Sequence, residues 1–233
     1  MKAFAVVALV LWSTGASAQV PNALTAQEKA EGWQLLFDGN TLSGWHAAPP
    51  APGSTGRVGG PPLPPGQIGT SPKPCVGARA QAGSAVPGAP RWEVVDGLLE
   101  PCGEPIGFLV SDQIYRNFVL SLEFRCSEAA NSGVYVRSVK DAGGYEAQIW
   151  KAQPGGYHTG AIVGSAKTTR EFALKDNQWN HYLITADGDH LVVVLNGETT
   201  TDVGDTRFAE GNIRLQYQQH PIAFRNVKIR LLP

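Results

Sequence analysis

The sequence has no marked excess of charge of either sign. Its 19 lysine and arginine residues nearly balance 20 aspartate and glutamate residues, which leaves a formal net charge of −1. Proteins that bind nucleic acid or an anionic membrane surface mainly through charge need a basic excess. The composition therefore gives no electrostatic reason to expect either partner.

Long apolar runs are scarce as well, and the longest is at the N-terminus. The stretch MKAFAVVALVLWSTGASAQ has one lysine, then an apolar run, then Ala-Ser-Ala before Gln19. This three-part plan is typical of a secretory signal. At about ten residues the apolar run is roughly half the length needed to span a bilayer. We predict a signal peptide at residues 1–18, a periplasmic or secreted location for residues 19–233, and no membrane span.

Cysteine is rare, with three residues in the chain. Cys126 shares strand parity with Leu120, Leu122 and Phe124, which predicts a place in the core as a small apolar residue. By elimination, Cys75 and Cys102 are the pair that could close a disulfide in an oxidising compartment. Whether they do depends on a Cα–Cα distance that sequence cannot supply.

Helical periodicity is almost absent, and residues 25–33 offer one or two turns at most. Short stretches rich in β-branched and aromatic residues predict strands instead. DGD at 187–189 and NG at 196–197 supply hairpin turns. The pattern predicts an all-β sandwich of two antiparallel sheets that forms a single domain. The predicted strands are 118–126, 132–138, 145–150, 179–187, 190–197, 211–218 and 222–232.

Residues 47–90 differ from the rest because proline, glycine and small residues dominate them. Such a segment buries too little apolar surface to offset the entropy lost when it orders. We interpret it as a surface insertion into the sandwich rather than as a second domain.

Several patterns that mark catalytic or metal sites are missing. No strand carries the Glu-x-Asp-x-x-Glu run expected of an ordinary glycosidase on such a sandwich, which needs two carboxylates about 5–9 Å apart. No two histidines have the spacing of His-x-His or HExxH, so there is no zinc signal. The acidic residues form no loop with calcium-site spacing. A divalent cation, Ca²⁺ or Mn²⁺, remains open as a cofactor.

One strand does carry a distinctive polar set. In YEAQIW (145–150), Glu146, Gln148 and Trp150 alternate with apolar residues and therefore share one face. That face is either solvated surface or the floor of a sugar site. The same parity argument adds four residues from other strands, namely Arg125, Tyr135, Arg137 and Gln216. The two arginines could instead form cross-strand ion pairs.

Two residues outside the strands are further candidates. Asn131 precedes the strand at 132–138 and is either a turn residue or a hydrogen-bonding residue at the rim. His158 lies in the loop after Trp150, from which a side chain could reach a ligand.

The longer motifs resemble a known family. Taken in order, they are similar to the motifs of the 3-keto-disaccharide hydrolase domain, formerly DUF1080. The resemblance implies a concanavalin A-like jelly roll whose concave sheet faces carbohydrate. This chain departs from the family pattern at Lys151, Val163 and Gln218. The matching motifs are EGWQLLFDGNTLSGWH (31–46), residues 92–125, NSGVYVR (131–137), YEAQIW (145–150), TGAI (159–162), residues 179–197 and residues 211–232.

The resemblance also implies a chemistry, the cleavage of glycosides whose C3 hydroxyl is already oxidised to a ketone. The ketone acidifies the C2 proton, so one base can start a β-elimination that expels the C1 substituent. We assign Glu146 as the base, Arg137 as the group that holds the enolate and His158 as the acid. The predicted substrate-binding residues are Arg125, Asn131, Tyr135, Gln148, Trp150 and Gln216. The alternatives are a non-catalytic carbohydrate-binding domain and an ordinary glycoside hydrolase.

Overall fold

The computed structural model describes residues 20–50, 75, 90–102, 106–127, 129–140, 142–151, 155–218 and 221–233. The predicted signal peptide and most of the predicted insertion at 47–90 lie outside these residues. Within them the chain forms one short helix and thirteen strands. These are α1 (Ala26–Ala30), β1 (Trp33–Leu35), β2 (Trp45–Ala48), β3 (Arg91–Val95), β4 (Leu98–Cys102), β5 (Gly107–Tyr115), β6 (Phe118–Cys126), β7 (Ser132–Val139), β8 (Gly143–Ile149), β9 (Asn180–Asp187), β10 (His190–Leu195), β11 (Glu198–Gly204), β12 (Gly211–Tyr217) and β13 (Ile222–Leu231).

The strands form two antiparallel sheets. The large sheet has eight strands in the order β11-β10-β9-β6-β13-β4-β3, with β1 also paired to β13. The small sheet has five strands in the order β2-β5-β12-β7-β8. The predicted jelly-roll sandwich of two antiparallel sheets is confirmed.

The core lies between the two sheets and follows the period of two in each strand. In β10, Leu191, Val193 and Leu195 are buried in the core, whereas Val192 and Val194 are partly exposed. Within the core, Phe124 and Tyr182 pack with ring centroids 4.9 Å apart. Full burial of an apolar side chain such as Leu, Val or Phe contributes about 1.5–3 kcal/mol to the free energy of folding.

All seven predicted strands are present, with boundaries shifted by up to two residues. Six more strands were not predicted, namely β1, β2, β3, β4, β5 and β11. β11 shows why, because its sequence ETTTDVG carries almost no apolar signal, and it forms by pairing with β10. The predicted helical turn is α1, which begins with a capping box between Thr25 and Glu28.

Cys75 and Cys102 form a disulfide with a Cα–Cα distance of 5.0 Å. Cys102 ends β4, so the bridge joins Cys75 to the large sheet. Cys126 is a free, buried thiol. Burial is the main reason that the pKa of Cys126 is raised to about 12.

No helix among the described residues is both long enough and apolar enough to cross a membrane.

Candidate functional site

The outer face of the small sheet, on the side away from the core, carries the polar set of β8. Tyr145, Ala147 and Ile149 belong to the core cluster. Glu146 and Gln148 alternate with them and therefore face outward, and Trp150 follows directly after the strand. Although they face away from the core, all three are buried. The predicted alternation is thus present, but the outer face is buried at these three positions rather than exposed to solvent.

Strand pairing places further side chains beside this set. Tyr135 of β7 lies opposite Glu146, and Arg214 of β12 lies opposite Tyr135. A row of three polar side chains therefore crosses three neighbouring strands. Gly133 lies opposite Gln148, and the pairing of Leu215 with Val134 brings Gln216 next to Gly133.

The central contact of the row joins Tyr135 to Glu146. The Tyr135 hydroxyl hydrogen-bonds to the Glu146 carboxylate. Gln216 Nε2 donates to the same hydroxyl oxygen at 3.4 Å. Tyr135 is 1% exposed and Glu146 is 5% exposed. The phenol and the carboxylate thus form a shielded pair.

Burial is the first cause that raises the pKa of Tyr135 well above its ordinary value, and the negative charge of Glu146 is the second. The Arg214 guanidinium acts in the opposite direction. The phenol therefore keeps its proton at neutral pH and can act as a hydrogen-bond donor.

Gly133 makes the space that the Glu146 side chain occupies. A Cβ atom at Gly133 would lie 2.5 Å from Oε1 and 2.9 Å from Cγ of Glu146. Real Cβ atoms do not approach other heavy atoms so closely, so a larger residue would displace the carboxylate.

Arg214 is the cation of this row. Its Cζ atom lies 5.7 Å from the ring centroid of Phe108, which in turn packs edge-on against Tyr135 at 5.3 Å. Strand parity indicates that Arg214 faces outward. Arg214 has the same parity as Gln216 of the same strand, but only Gln216 was among the predicted site residues. The pairing of β12 with β7 is what places Arg214 opposite Tyr135.

The predicted sugar-binding residues Asn131, Gln148, Trp150 and Gln216 all lie on the small sheet or at its end and are all buried. The side-chain oxygen of Gln148 accepts from the backbone N–H of Ile149 at 3.0 Å. Asn131 precedes β7 and Trp150 follows β8, so they are neighbours across that strand pair. Asn131 Nδ2 has no hydrogen-bond partner within the described part of the chain.

His158 begins a turn that packs along β8. Its carbonyl accepts from Ala161, Gln148 donates to the carbonyl of Ala161, and Gly160 donates to the carbonyl of Gln148. His158 Nδ1 lies 2.8 Å from the carbonyl oxygen of Lys151. Because a carbonyl can only accept, Nδ1 carries a proton, and Nε2 of the neutral ring carries the lone pair.

The same segment covers the outer edge of β8. Val163 donates to the carbonyl of Glu146 at 3.0 Å. Both Thr200 and Thr201 of β11 donate to the carbonyl of Gly160 at 2.8 Å. The segment thus links the edge of the small sheet to the edge of the large sheet.

Arg137 does not lie on this face, so the prediction that it holds an enolate beside Glu146 is wrong. The register of β7 against β8 shifts between Val136 and Val139, and Arg137 has a φ of +48°. One extra residue in a strand reverses the parity beyond it. Arg137 is 1% exposed. It donates from Nε to the Arg116 carbonyl at 2.6 Å, from one terminal nitrogen to the Gly188 carbonyl at 2.6 Å and from the other to Asn117 Oδ1 at 3.1 Å.

Arg125 is also misplaced by the prediction. It belongs to β6 of the large sheet, where it lies opposite Ala223. Its Cζ atom is 4.9 Å from the ring centroid of Trp179, and Arg225 lies 3.9 Å from the same ring. Parity assigns a residue to one face of its own sheet but does not say which sheet that is. Arg125 therefore cannot share a site with Glu146 on the outer face of the small sheet.

Within the described ranges, no group of three or more histidine, cysteine, aspartate or glutamate side chains is arranged to hold a metal ion. Side-chain geometry in those ranges therefore gives no support for a Ca²⁺ or Mn²⁺ cofactor.

Comparison with solved structures shows the same fold in other proteins. One from Parabacteroides distasonis ATCC 8503, provisionally described as a glycosyl hydrolase, is 18% identical. The match covers 92% of this chain and all of that chain, with a TM-score of 0.67. A second protein of that organism, with the same provisional description, is 26% identical over 60% of this chain and 90% of its own, with a TM-score of 0.54.

No curated protein matches the sequence significantly. At the level of families, residues 32–230 match the 3-keto-alpha-glucoside-1,2-lyase-like domain. This match includes the strands that carry Tyr135, Glu146 and Arg214. The chain therefore belongs to the family of 3-keto-alpha-glucoside-1,2-lyase-like domains.

Proposed function

We propose that the protein cleaves 3-keto-glycosides by β-elimination on the outer face of the small sheet. Glu146 carries this proposal, because it is a buried carboxylate held by Tyr135 and accommodated by Gly133. Family membership supports the same chemistry. A base held in one position by its neighbours suits the removal of a carbon-bound proton.

The reaction needs one base rather than two matched carboxylates. Glu146 takes the C2 proton, which the C3 ketone acidifies, and the resulting enolate expels the aglycone oxygen from C1. Water can then add to the unsaturated product, which gives net hydrolysis. His158 is the proposed acid for the departing oxygen in its protonated form, in which the Lys151 carbonyl holds Nδ1–H and Nε2 carries the transferable proton.

The surrounding residues suit a sugar ring. The Trp150 indole can stack on the apolar C–H face of the ring. Gln148 and Gln216 offer amide groups, and Asn131 offers a buried donor, Nδ2, that has no partner in the described residues. A sugar hydroxyl would satisfy that donor, which is otherwise costly to bury.

An ordinary glycosidase is a poorer fit. Such an enzyme needs a second carboxylate about 5–9 Å from the first. Glu146 is the only carboxylate of β8, and the neighbouring strands β7 and β12 carry none. This favours elimination over direct hydrolysis.

The test is to incubate the protein with methyl 3-keto-glucoside and with unoxidised methyl glucoside. Cleavage of the keto sugar alone supports the proposal, and cleavage of both sugars indicates an ordinary glycosidase. Binding without cleavage would support the second candidate function, a carbohydrate-binding domain, which the buried amides and Trp150 favour.

We further propose that the mature protein acts in the periplasm or outside the cell. The disulfide between Cys75 and Cys102 supports this location, since such bonds persist mainly in oxidising compartments. Cell fractionation tests it, and recovery of the protein in the cytoplasmic fraction would contradict it.

A further inference from the structure

We propose that Tyr135 is the oxyanion donor of this reaction. Its phenol would donate a hydrogen bond to O3 of the substrate while Glu146 removes the C2 proton. This inference rests on the proposed function. It gives Tyr135, predicted from the sequence as a substrate-binding residue, the role that the sequence assigned to Arg137.

The geometry of the pair matches the geometry of the substrate. In a 3-keto sugar the acidic proton and the ketone oxygen belong to adjacent carbons, C2 and C3. The base must therefore reach C2 and the donor must reach O3 at the same time, which requires two groups close together on one face. Tyr135 and Glu146 meet this condition, because they face each other across β7 and β8 and are directly hydrogen-bonded.

The surroundings of Tyr135 favour hydrogen bonding rather than stacking. Its ring lies edge-on to Phe108 with centroids 5.3 Å apart and is almost completely buried. A sugar cannot stack on a ring enclosed in this way, so the group through which Tyr135 would act is the hydroxyl at its tip.

The neighbours of Tyr135 also orient its proton. Gln216 Nε2 donates to the phenol oxygen, so the phenol proton is directed elsewhere, toward Glu146. Once Glu146 has accepted the C2 proton, it no longer competes as a charged acceptor, and the enolate oxygen becomes the stronger acceptor. The nearby Arg214 guanidinium adds positive charge where negative charge develops.

The electron flow needs no oxidant or reductant. A Glu146 oxygen takes the proton from C2, the C2–H electron pair forms a C2=C3 bond, and the carbonyl π pair moves to O3. When the C3=O bond re-forms, the pair moves to C1=C2 and the C1–O1 bond breaks. The aglycone oxygen leaves with the C1–O1 bonding pair and takes the Nε2 proton of protonated His158. Tyr135 stabilises O3 as the negative charge develops there and keeps its own proton.

The test separates proton removal from aglycone release. The probe is 1,5-anhydro-3-keto-glucitol, which has no leaving group at C1, and the readout is exchange of its C2 proton for deuterium in D₂O by NMR. Tyr135→Phe should slow this exchange by about 10²-fold or more, the usual effect of losing an oxyanion donor. Glu146→Gln should slow it similarly.

The matched control is Tyr115→Phe. Tyr115 is also a buried tyrosine whose hydroxyl bonds to a neighbouring side chain, Gln113, but it packs in the core between the sheets. Tyr115→Phe should leave the exchange rate unchanged. The melting temperature of each variant shows whether it is folded.

Each other outcome has a distinct meaning. If Tyr135→Phe exchanges at the parent rate but cleaves methyl 3-keto-glucoside slowly, Tyr135 is the leaving-group acid and the inference is overturned. Unchanged rates of both reactions would make Tyr135 structural, which also overturns it. A parent that exchanges the probe but cleaves no keto-glycoside refutes the proposed cleavage and leaves the donor role standing. If the parent protein neither exchanges the probe nor cleaves the keto-glycoside, both the proposed cleavage and the donor role are refuted.

Discussion

Gly133 and Glu146 occupy overlapping space on the small sheet, since a Cβ at position 133 would come within 2.5 Å of Glu146 Oε1. The atoms that must move belong to the Glu146 side chain and not to the backbone, so Gly133→Ala should still fold. It should nevertheless displace the carboxylate and lower kcat/KM for the keto-glycoside by up to about 10²-fold, because misplacement by an ångström is that costly.

The control is Gly204→Ala. Gly204 ends β11, and a Cβ added there would meet no atom within 4 Å, so the change should be silent. Full activity of Gly133→Ala would mean that the carboxylate position is not critical.

Glu146→Gln tests the base directly. The change keeps the size of the side chain and its ability to accept from Tyr135, but it removes the basic carboxylate. Turnover of methyl 3-keto-glucoside should fall roughly 10²-fold or more, and the melting temperature should change little. If activity is retained, the base is another group and His158 becomes the next candidate.

Arg137→Ala should affect stability rather than catalysis. The buried guanidinium donates to three backbone carbonyls and to Asn117, and its loss removes the donor from each of these acceptors. We expect the free energy of unfolding to fall by about 2–4 kcal/mol, measured by urea denaturation. Activity per folded molecule should be unchanged; a stable but inactive variant would restore the catalytic role expected from the sequence.

The thiols give a separate test. Unfolded without reductant, the protein should show one free thiol, Cys126, because Cys75 and Cys102 are bonded. In the native state Cys126 should react slowly with Ellman's reagent, since it is buried and its pKa is raised to about 12. Three reactive thiols after unfolding would show that the bridge is absent.

His181 predicts a pH dependence of stability. Burial is the main cause that lowers the pKa of His181 in the folded state, with Lys228 adding to this effect and Glu123 opposing it. The unfolded state therefore binds the proton more readily, and stability is lost as the pH falls through the unfolded value of about 6.5. Between about pH 7.5 and about pH 5.5, the melting temperature should fall more for the parent than for His181→Gln.

His190 predicts a pH dependence of stability with the opposite sign. Its pKa is raised, chiefly by a hydrogen bond to Asp202, so its contribution is present at low pH and is lost as the pH rises through the folded value. On acidification, the His190→Gln variant should therefore lose more stability than the parent does. Identical pH profiles for the variant and the parent would argue against this assignment.

The sequence predicted which face of its own sheet a side chain lies on more reliably than it predicted which strands are adjacent. Alternation within β8 was enough to place Glu146 outward, because a period of two holds over a short regular strand. It failed at Arg137, where an irregularity between Val136 and Val139 breaks the period. Alternation could not show that Arg125 and Glu146 belong to different sheets, or that Arg214 lies opposite Tyr135. Both facts depend on strand order, which is set by long-range pairing that alternation does not encode.

The segment that follows β8 has a consequence for how molecules of this protein meet one another. By strand order β8 is the last strand of the small sheet, and such a strand ordinarily offers its free backbone groups to other chains. Here Val163 occupies the carbonyl of Glu146, Ala161 accepts from Gln148, and two threonines of β11 hold the carbonyl of Gly160. Because these backbone groups are already bonded within the chain, the strand that presents the carboxylate offers fewer free groups for edge-to-edge pairing with another molecule.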